Sequence, residues 1–225
     1  MDKTAIRHAA TVILVRDATG PKPRVLMGQR GASAAFMPSK YVFPGGALDP
    51  DDASAPGLHT YRTPCRQKLD SDARGASADA ILGAAIRELW EETGLRLGRE
   101  SSRLFDGRLS ESWRSFLGSG AEPDPSQLRF VFRAITPPGR PRRFDARFLL
   151  APTEALLDDP DDFSKASDEL SHLHWVPLAE ARALNLPFIT EVVLGEVAGA
   201  LPSLEAPQGV PFFQHDDTLS RFSRI

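Results

Sequence analysis

The 225-residue chain carries 27 Lys and Arg against 30 Asp and Glu, a formal net charge of -3 at pH 7, with 41% hydrophobic and 25% charged residues. That composition excludes a disordered or collagen-like chain and leaves enough length for a sizeable core, while the slight negative charge argues against a broad nucleic-acid surface. The single Cys65 excludes an intramolecular disulfide and, lacking Cys or His partners at ligand spacing, argues against a zinc site.

The first apolar run, ATVILV at 10–15, is closed by Arg16 and is too short for a signal-peptide core or a membrane span, so a cytoplasmic protein is expected. ATVILVRD (10–17) and PRVLMGQRG (23–31) read as strands joined by a turn at Gly20 and Pro21. KYVFPGGAL (40–48) reads as a third short strand, and its Gly45-Gly46 pair allows backbone to approach a ligand closely. Residues 47–78 keep no period of 2 or 3.6 and read as an inserted loop with a helical turn around 64–70. From Asp79 the pattern turns helical: Leu82, Ile86, Leu89 and Thr93 form one core-facing stripe, Ser77 or Asp79 caps the start, and Gly94 ends the helix.

Further on, SESWRSFLGSG (110–120) predicts a short amphipathic helix, and LRFVFRAITP (128–137) and RRFDARFLLAP (142–152) predict two strands around PPGRP. LSHLHWVPLAEARALN (170–185) reads as a strand running into a helix near Pro177, and PFITEVVLGEVAGAL (187–201) as another helix. The tail beyond Pro202 is poorly patterned, and the segment from about 177 to 225 reads as a helical extension. Alternating strands and helices without repeats or a linker predict a single α/β domain over 1–225.

The stretch AAIRELWEETGL (84–95) crowds Glu88, Glu91 and Glu92 into the last turns of the helix. On a helical wheel they share a sector of roughly 100°, outside the apolar stripe. Like charges three and four apart cost roughly 0.2–0.5 kcal/mol each, and acids at a helix C-terminus add to that. A divalent cation such as Mg²⁺ or Mn²⁺ would reverse the sign; a solvated acidic face, partly neutralised by Arg87 and Arg96, is the alternative.

With Gly45-Gly46 ahead of it, RELWEETGL resembles the Nudix hydrolase signature, G-x5-E-x7-R-E-U-x-E-E-x-G-U with U a bulky aliphatic residue. Its second half matches at Arg87, Glu88, Leu89, Glu91, Glu92, Gly94 and Leu95. Counting back from Arg87, Asp79 stands where the family has its first Glu, but it follows Gly46 by 33 positions instead of six, an excess of 27. On the wheel Asp79 lies far from the glutamates and reads as a capping or structural residue. The insertion, FMPSKYVFPGG (36–46) and residues 134–152 together are similar to the branch that includes the animal peroxisomal coenzyme A diphosphatases, whose signature is interrupted.

The resemblance implies a Nudix-type α/β/α sandwich with a mixed sheet, and metal-dependent hydrolysis of a diphosphate linkage. The branch likeness points to coenzyme A or acyl-coenzyme A, giving 3′,5′-ADP and 4′-phosphopantetheine products. The alternatives are another nucleoside diphosphate derivative (NADH, ADP-ribose, a nucleotide sugar) or a non-catalytic nucleotide sensor. Glu88, Glu91, Glu92 and the Gly46 carbonyl are the implied ligands for Mg²⁺ or Mn²⁺, and Arg87 is implied to orient the carboxylates. The general base is one of the clustered glutamates or a loop acid, Glu169 being the candidate. Arg143 and Arg147 share a strand face and are candidates to grip substrate phosphates, as is Arg30; Phe43 is a candidate to line a base or apolar pocket, with a core role as the alternative. His172, His174 and Trp175 receive no functional role. The partner is a small nucleotide substrate, with no membrane; homodimers are common in the family.

Overall fold

A computed structural model describes residues 5–58, 65–71, 75–103, 105, 109–215 and 219–225. Eleven strands and four helices are present among them: β1 (Ile6–Arg16), β2 (Arg24–Arg30), β3 (Tyr41–Val42), β4 (Gly45–Ala47), α1 (Arg66–Ser71), α2 (Ala78–Thr93), β5 (Gly98–Glu100), α3 (Glu111–Gly118), β6 (Ala121–Pro123), β7 (Arg129–Ile135), β8 (Arg143–Pro152), β9 (Leu170–Pro177), α4 (Phe188–Ala200), β10 (Pro211–His215) and β11 (Ser220–Arg224). Nine strands form one mixed sheet in the order β11-β10-β7-β8-β1-β2-β3, with β4 also pairing β1 and β9 also pairing β2.

β1 is the spine of the sheet. It runs parallel to β8 from Ile6↔Arg143 to Val15↔Pro152 and antiparallel to β4 at Ala10↔Gly46. A strand buried on both faces reads as a continuous apolar run, which is why ATVILV carries no alternation. Ala10, Val12 and Leu14 face the cluster that includes α2 and α3, while Ile13 and Val15 face the cluster beneath α4. The sheet is therefore sandwiched between helical layers.

α2 forms as its pattern predicts. Ser77 accepts a hydrogen bond from Ala80 N at 3.2 Å, and Gly94, at φ 74°, closes the helix by donating to Trp90 O. Leu82, Ile86 and Leu89 are fully buried. Only glycine adopts that φ without strain, so the signature's glycine is here the helix stop.

The helical turn expected around 64–70 is α1 at 66–71, and the described parts of the insertion add a short 3₁₀ turn at Asp52–Ser54 and pack Ala55, Leu58, Cys65, Leu69 and Ala76 into the core with α2; residues 59–64 and 72–74 lie outside the described residues. Two expectations change. The helix expected from Pro177 is only the 3₁₀ turn Ala181–Ala183, in a segment bounded by Pro177 and Pro187. The 177–225 extension is helical only over α4; its last part forms β10 and β11, an antiparallel pair extending the sheet. β11 is exposed throughout, so it carries no apolar alternation to read. Among the described residues no helix is long and apolar enough to cross a membrane.

Candidate active site

The acidic patch on α2 is not a solvated face. Glu92 is 1% exposed and Glu88 9%, and only Glu91 remains half-exposed. Glu92 Oε2 accepts a 2.7 Å hydrogen bond from Gly45 N, while its Oε1 is buried without a hydrogen-bond partner among the described residues. Burial pushes the Glu88 carboxyl up to about 7, against the opposing charge of Arg87. Burial and then the charge of Glu88 hold Glu92 well above the usual carboxylate range, only partly offset by the Gly45 N–H.

β4 brings the Gly-Gly pair against these carboxylates. A Cβ on Gly46 would overlap the Glu88 carboxylate, so the bare Cα is what lets that carboxylate lie where it does. The Gly46 backbone and the Glu88 and Glu92 carboxylates thus meet where β4 crosses α2.

Arg87 is the organising cation. Its Nη1 donates to Glu88 Oε1 at 2.9 Å and to both oxygens of Glu91 at 3.2 and 3.3 Å, and its Nη2 donates to Ala47 O at 2.9 Å. The remaining face of the guanidinium forms a bidentate pair with Asp52, Nε to Oδ1 at 2.8 Å and Nη2 to Oδ2 at 3.0 Å. Desolvation works against the buried guanidinium, but the Asp52 hydrogen bond and the charges of Glu88, Asp52 and Glu91 outweigh it and raise its pKa. Arg87 is 3% exposed, not a surface helix arginine.

Asp52 is the residue that sequence reading missed. It is fully buried and also accepts from Trp113 Nε1 at 3.0 Å and Asp49 N at 2.7 Å. It lies six positions after Gly46, the spacing of G-x5-E, so the 27 extra residues fall between this acid and Arg87 and not between the glycine and the acid. Counting forward from Gly46 would have found it. Asp79, reached by counting back, instead pairs with Arg66 at 2.7 Å and ties α1 to α2, a structural role as expected.

The loop before β9 brings Glu169 to the same place. Ser167 N donates to Glu91 O at 3.1 Å, and the charge of Glu169 contributes to the raised pKa of both Glu88 and Glu92. Glu169 pairs with Arg30 Nη2 at 3.3 Å, and Arg30 Nε donates to Phe36 O at 3.1 Å. Arg30 and Glu169 therefore both stand beside the carboxylates.

The other candidate binding residues are placed differently. Phe43 is 3% exposed and packs with Ile13, Val131 and Phe148 in the cluster under α4, so it fills core and lines no open pocket. Arg147 is 1% exposed; its Nη1 donates to Asp145 O and meets His8 Nδ1, both at 2.9 Å, while Arg133 grips the Asp145 carboxylate at 2.8 and 2.6 Å. Its guanidinium is committed to an internal ionic cluster, because a buried charge must be paired. Arg143 donates its Nε to Thr136 O at 3.0 Å, bracing the β7–β8 turn.

Among the described residues no three Asp, Glu, His or Cys groups are gathered tightly enough to form a ready-made metal cage. Arg87 draws Glu91 aside and Gly45 holds one oxygen of Glu92. A hard cation that shares its ligands with substrate phosphates needs few protein oxygens, and the unpartnered Glu92 Oε1 and the Glu88 carboxylate, whose charge is disfavoured by burial, fit such an ion.

No family model matches the chain. A Caenorhabditis elegans protein named as nudix hydrolase 7 is 29% identical over 182 residues, 76% of this chain and 51% of that protein. The acyl-coenzyme A diphosphatase NUDT19 of Gallus gallus is 29% identical over 238 aligned positions, 78% of this chain and 62% of that one. The chain thus spans about half to three-fifths of the length of these curated relatives. The crystal structure of a Nudix hydrolase from Alicyclobacillus acidocaldarius superposes with a TM-score of 0.68 at 28% identity, covering 89% of this chain and 95% of that one. With Arg87, Glu88, Glu91, Glu92 and Gly94 in signature spacing and an acid at the interrupted position bound to that arginine, the chain is similar to the Nudix hydrolases in both sequence and fold.

Proposed function

We propose that the chain hydrolyses a diphosphate linkage with the help of Mg²⁺ or Mn²⁺, and that its substrate is coenzyme A or an acyl-coenzyme A, cleaved to 3′,5′-ADP and a 4′-phosphopantetheine product. The observation that carries the reading is the pair of buried carboxylates, Glu88 and Glu92, with one oxygen unpartnered beside Gly46. The substrate class rests on the chicken relative's name and on the interrupted signature.

Glu88, Glu91, Glu92 and the Gly46 carbonyl would hold the ion. When bound, it supplies Lewis acidity, offsetting charge on the phosphoryl oxygens and making water a better nucleophile. Arg87 fixes the directions of Glu88 and Glu91 through its hydrogen bonds. Arg30 offers its guanidinium to the diphosphate. Glu169 takes the proton from the attacking water as the new P–O bond forms and the anhydride P–O bond breaks, the departing phosphate leaving with the electron pair. The insertion and the segment after β9 belong to the same domain in this reading, and the setting is cytoplasmic.

The test is incubation with coenzyme A, acetyl-coenzyme A, NADH, ADP-ribose and a nucleotide sugar, each with Mg²⁺, Mn²⁺ or chelator, with products resolved by mass. Metal-dependent release of 3′,5′-ADP, lost in Glu91→Gln and Glu92→Gln, is the expected result. Cleavage of a different member would keep the chemistry and discard the substrate, and ligand binding without turnover under any metal would overturn the enzymatic reading.

A further inference from the structure

The signature is cut by an insertion: Asp52 and Arg87 are 35 positions apart, and nothing local holds them together. Two features outside the signature's fixed positions do so. Gly83, in the middle of α2, has a Cα over which the backbone of the 52–54 turn sits so closely that a Cβ would overlap the Asp52 carbonyl. A mid-helix glycine is unfavourable by roughly 0.5–1 kcal/mol relative to alanine, so its presence here needs a packing reason, and the turn carrying Asp52 is that reason. Trp113, on α3 and 61 positions from Asp52, is fully buried and points its only polar atom, Nε1, at Asp52 Oδ1. That oxygen also accepts from Arg87 Nε, so the indole fixes the orientation of the carboxylate that Arg87 grips. Trp113 is itself immobilised by edge-on packing against Phe116, with ring centroids 5.7 Å apart.

We propose that Trp113 and Gly83 are positioning residues that rejoin the interrupted signature: the glycine admits the 52–54 turn to α2, and the indole N–H holds Asp52 for Arg87, which in turn holds Glu88 and Glu91. The ligand at the end of this chain of contacts is a hard divalent cation, so the inference deepens the proposed function and rests on it. Neither residue touches substrate.

The experiment measures Mn²⁺ binding to the full chain by calorimetry and electron paramagnetic resonance, without turnover. Trp113→Phe removes the N–H and keeps most of the aromatic volume. It is expected to weaken Mn²⁺ binding by about three- to tenfold, the share of a charge-assisted hydrogen bond that reaches the carboxylates. Gly83→Ala is expected to weaken it as well. In an Asp52→Asn background Trp113→Phe should have no further effect, because its influence passes through that carboxylate. A purely structural tryptophan would lower thermal stability equally in both backgrounds and leave Mn²⁺ affinity unchanged, and that result overturns the inference. If the wild-type chain binds no Mn²⁺, the functional reading fails, and the positioning role is then read from exchange of the Arg87 Nε–H: loss of protection in Trp113→Phe supports it, and retained protection overturns it.

Discussion

Replacing Asp52 by Asn perturbs the hub while keeping its shape. Asp52 Oδ1 accepts from Arg87 Nε and Trp113 Nε1, and Oδ2 accepts from Arg87 Nη2 and Asp49 N, so either orientation of an amide turns its NH₂ against two donors. The pair is sealed from solvent, with side-chain exposures of 0% for Asp52 and 3% for Arg87. Breaking a buried pair typically costs about 3–5 kcal/mol, and because Glu88 and Glu91 continue to neutralise Arg87, the lower end, about 3 kcal/mol, is expected. At about 2–4 °C per kcal/mol for a chain of this size, Tm should fall by about 6–12 °C. Asp79→Asn is the comparison, since its pair with Arg66 is a quarter exposed on both sides and is worth no more than about 1 kcal/mol. Thermal and urea unfolding of the metal-free variants decide between them. An Asp52→Asn protein melting within about 2 °C of wild type, or an Asp79→Asn protein losing more, would refute the assignment of Asp52 as the partner of Arg87.

Three further outcomes follow from the same site. Glu88 has a folded-state pKa of about 7 against its ordinary 4.5, so between those values the native state holds more protons than the unfolded chain, and Glu92 is raised in the same direction; the stability attached to Glu88 is present below that window and declines as pH rises through it. Urea unfolding in chelator should show Glu88→Gln gaining on wild type between pH 5 and 7, and a constant difference would contradict the burial argument. Gly46→Ala should displace the Glu88 carboxylate, lowering stability by about 1–3 kcal/mol and abolishing metal-dependent turnover, as melts and product assays would report. Glu169→Gln should lower kcat by about 10²–10⁴-fold while leaving Tm nearly unchanged, because its pair with Arg30 is exposed; an unchanged kcat would assign the base elsewhere.

The sequence by itself determined the elements whose signals are local. The run at 10–15, the stripe of Leu82, Ile86 and Leu89, a cap at Ser77 or Asp79 and the Gly94 stop each encode their structure within a few residues, the structure choosing Ser77, and the signature glutamates announce their own spacing. Elements without a local signal were misread or passed over: β10 and β11 are stabilised by a sheet edge, and the β5–β6 pair sits in a polar stretch. What only the tertiary structure decided were pairings and burial. Two acids stood at plausible distances from the signature, and contact with Arg87 selects Asp52 because a buried guanidinium takes whichever carboxylate the fold delivers to it. Arg147 and Phe43 look on the strand pattern like ligands for phosphate and base, yet β8 carries Arg147 into the Asp145 cluster and Phe43 lies in the core under α4. Helical spacing likewise gathers Glu88, Glu91 and Glu92 on one side of α2, but burial in the tertiary structure, with β4 against the helix, removes Glu88 and Glu92 from water, and that desolvation lifts both carboxyls above the usual carboxylate range.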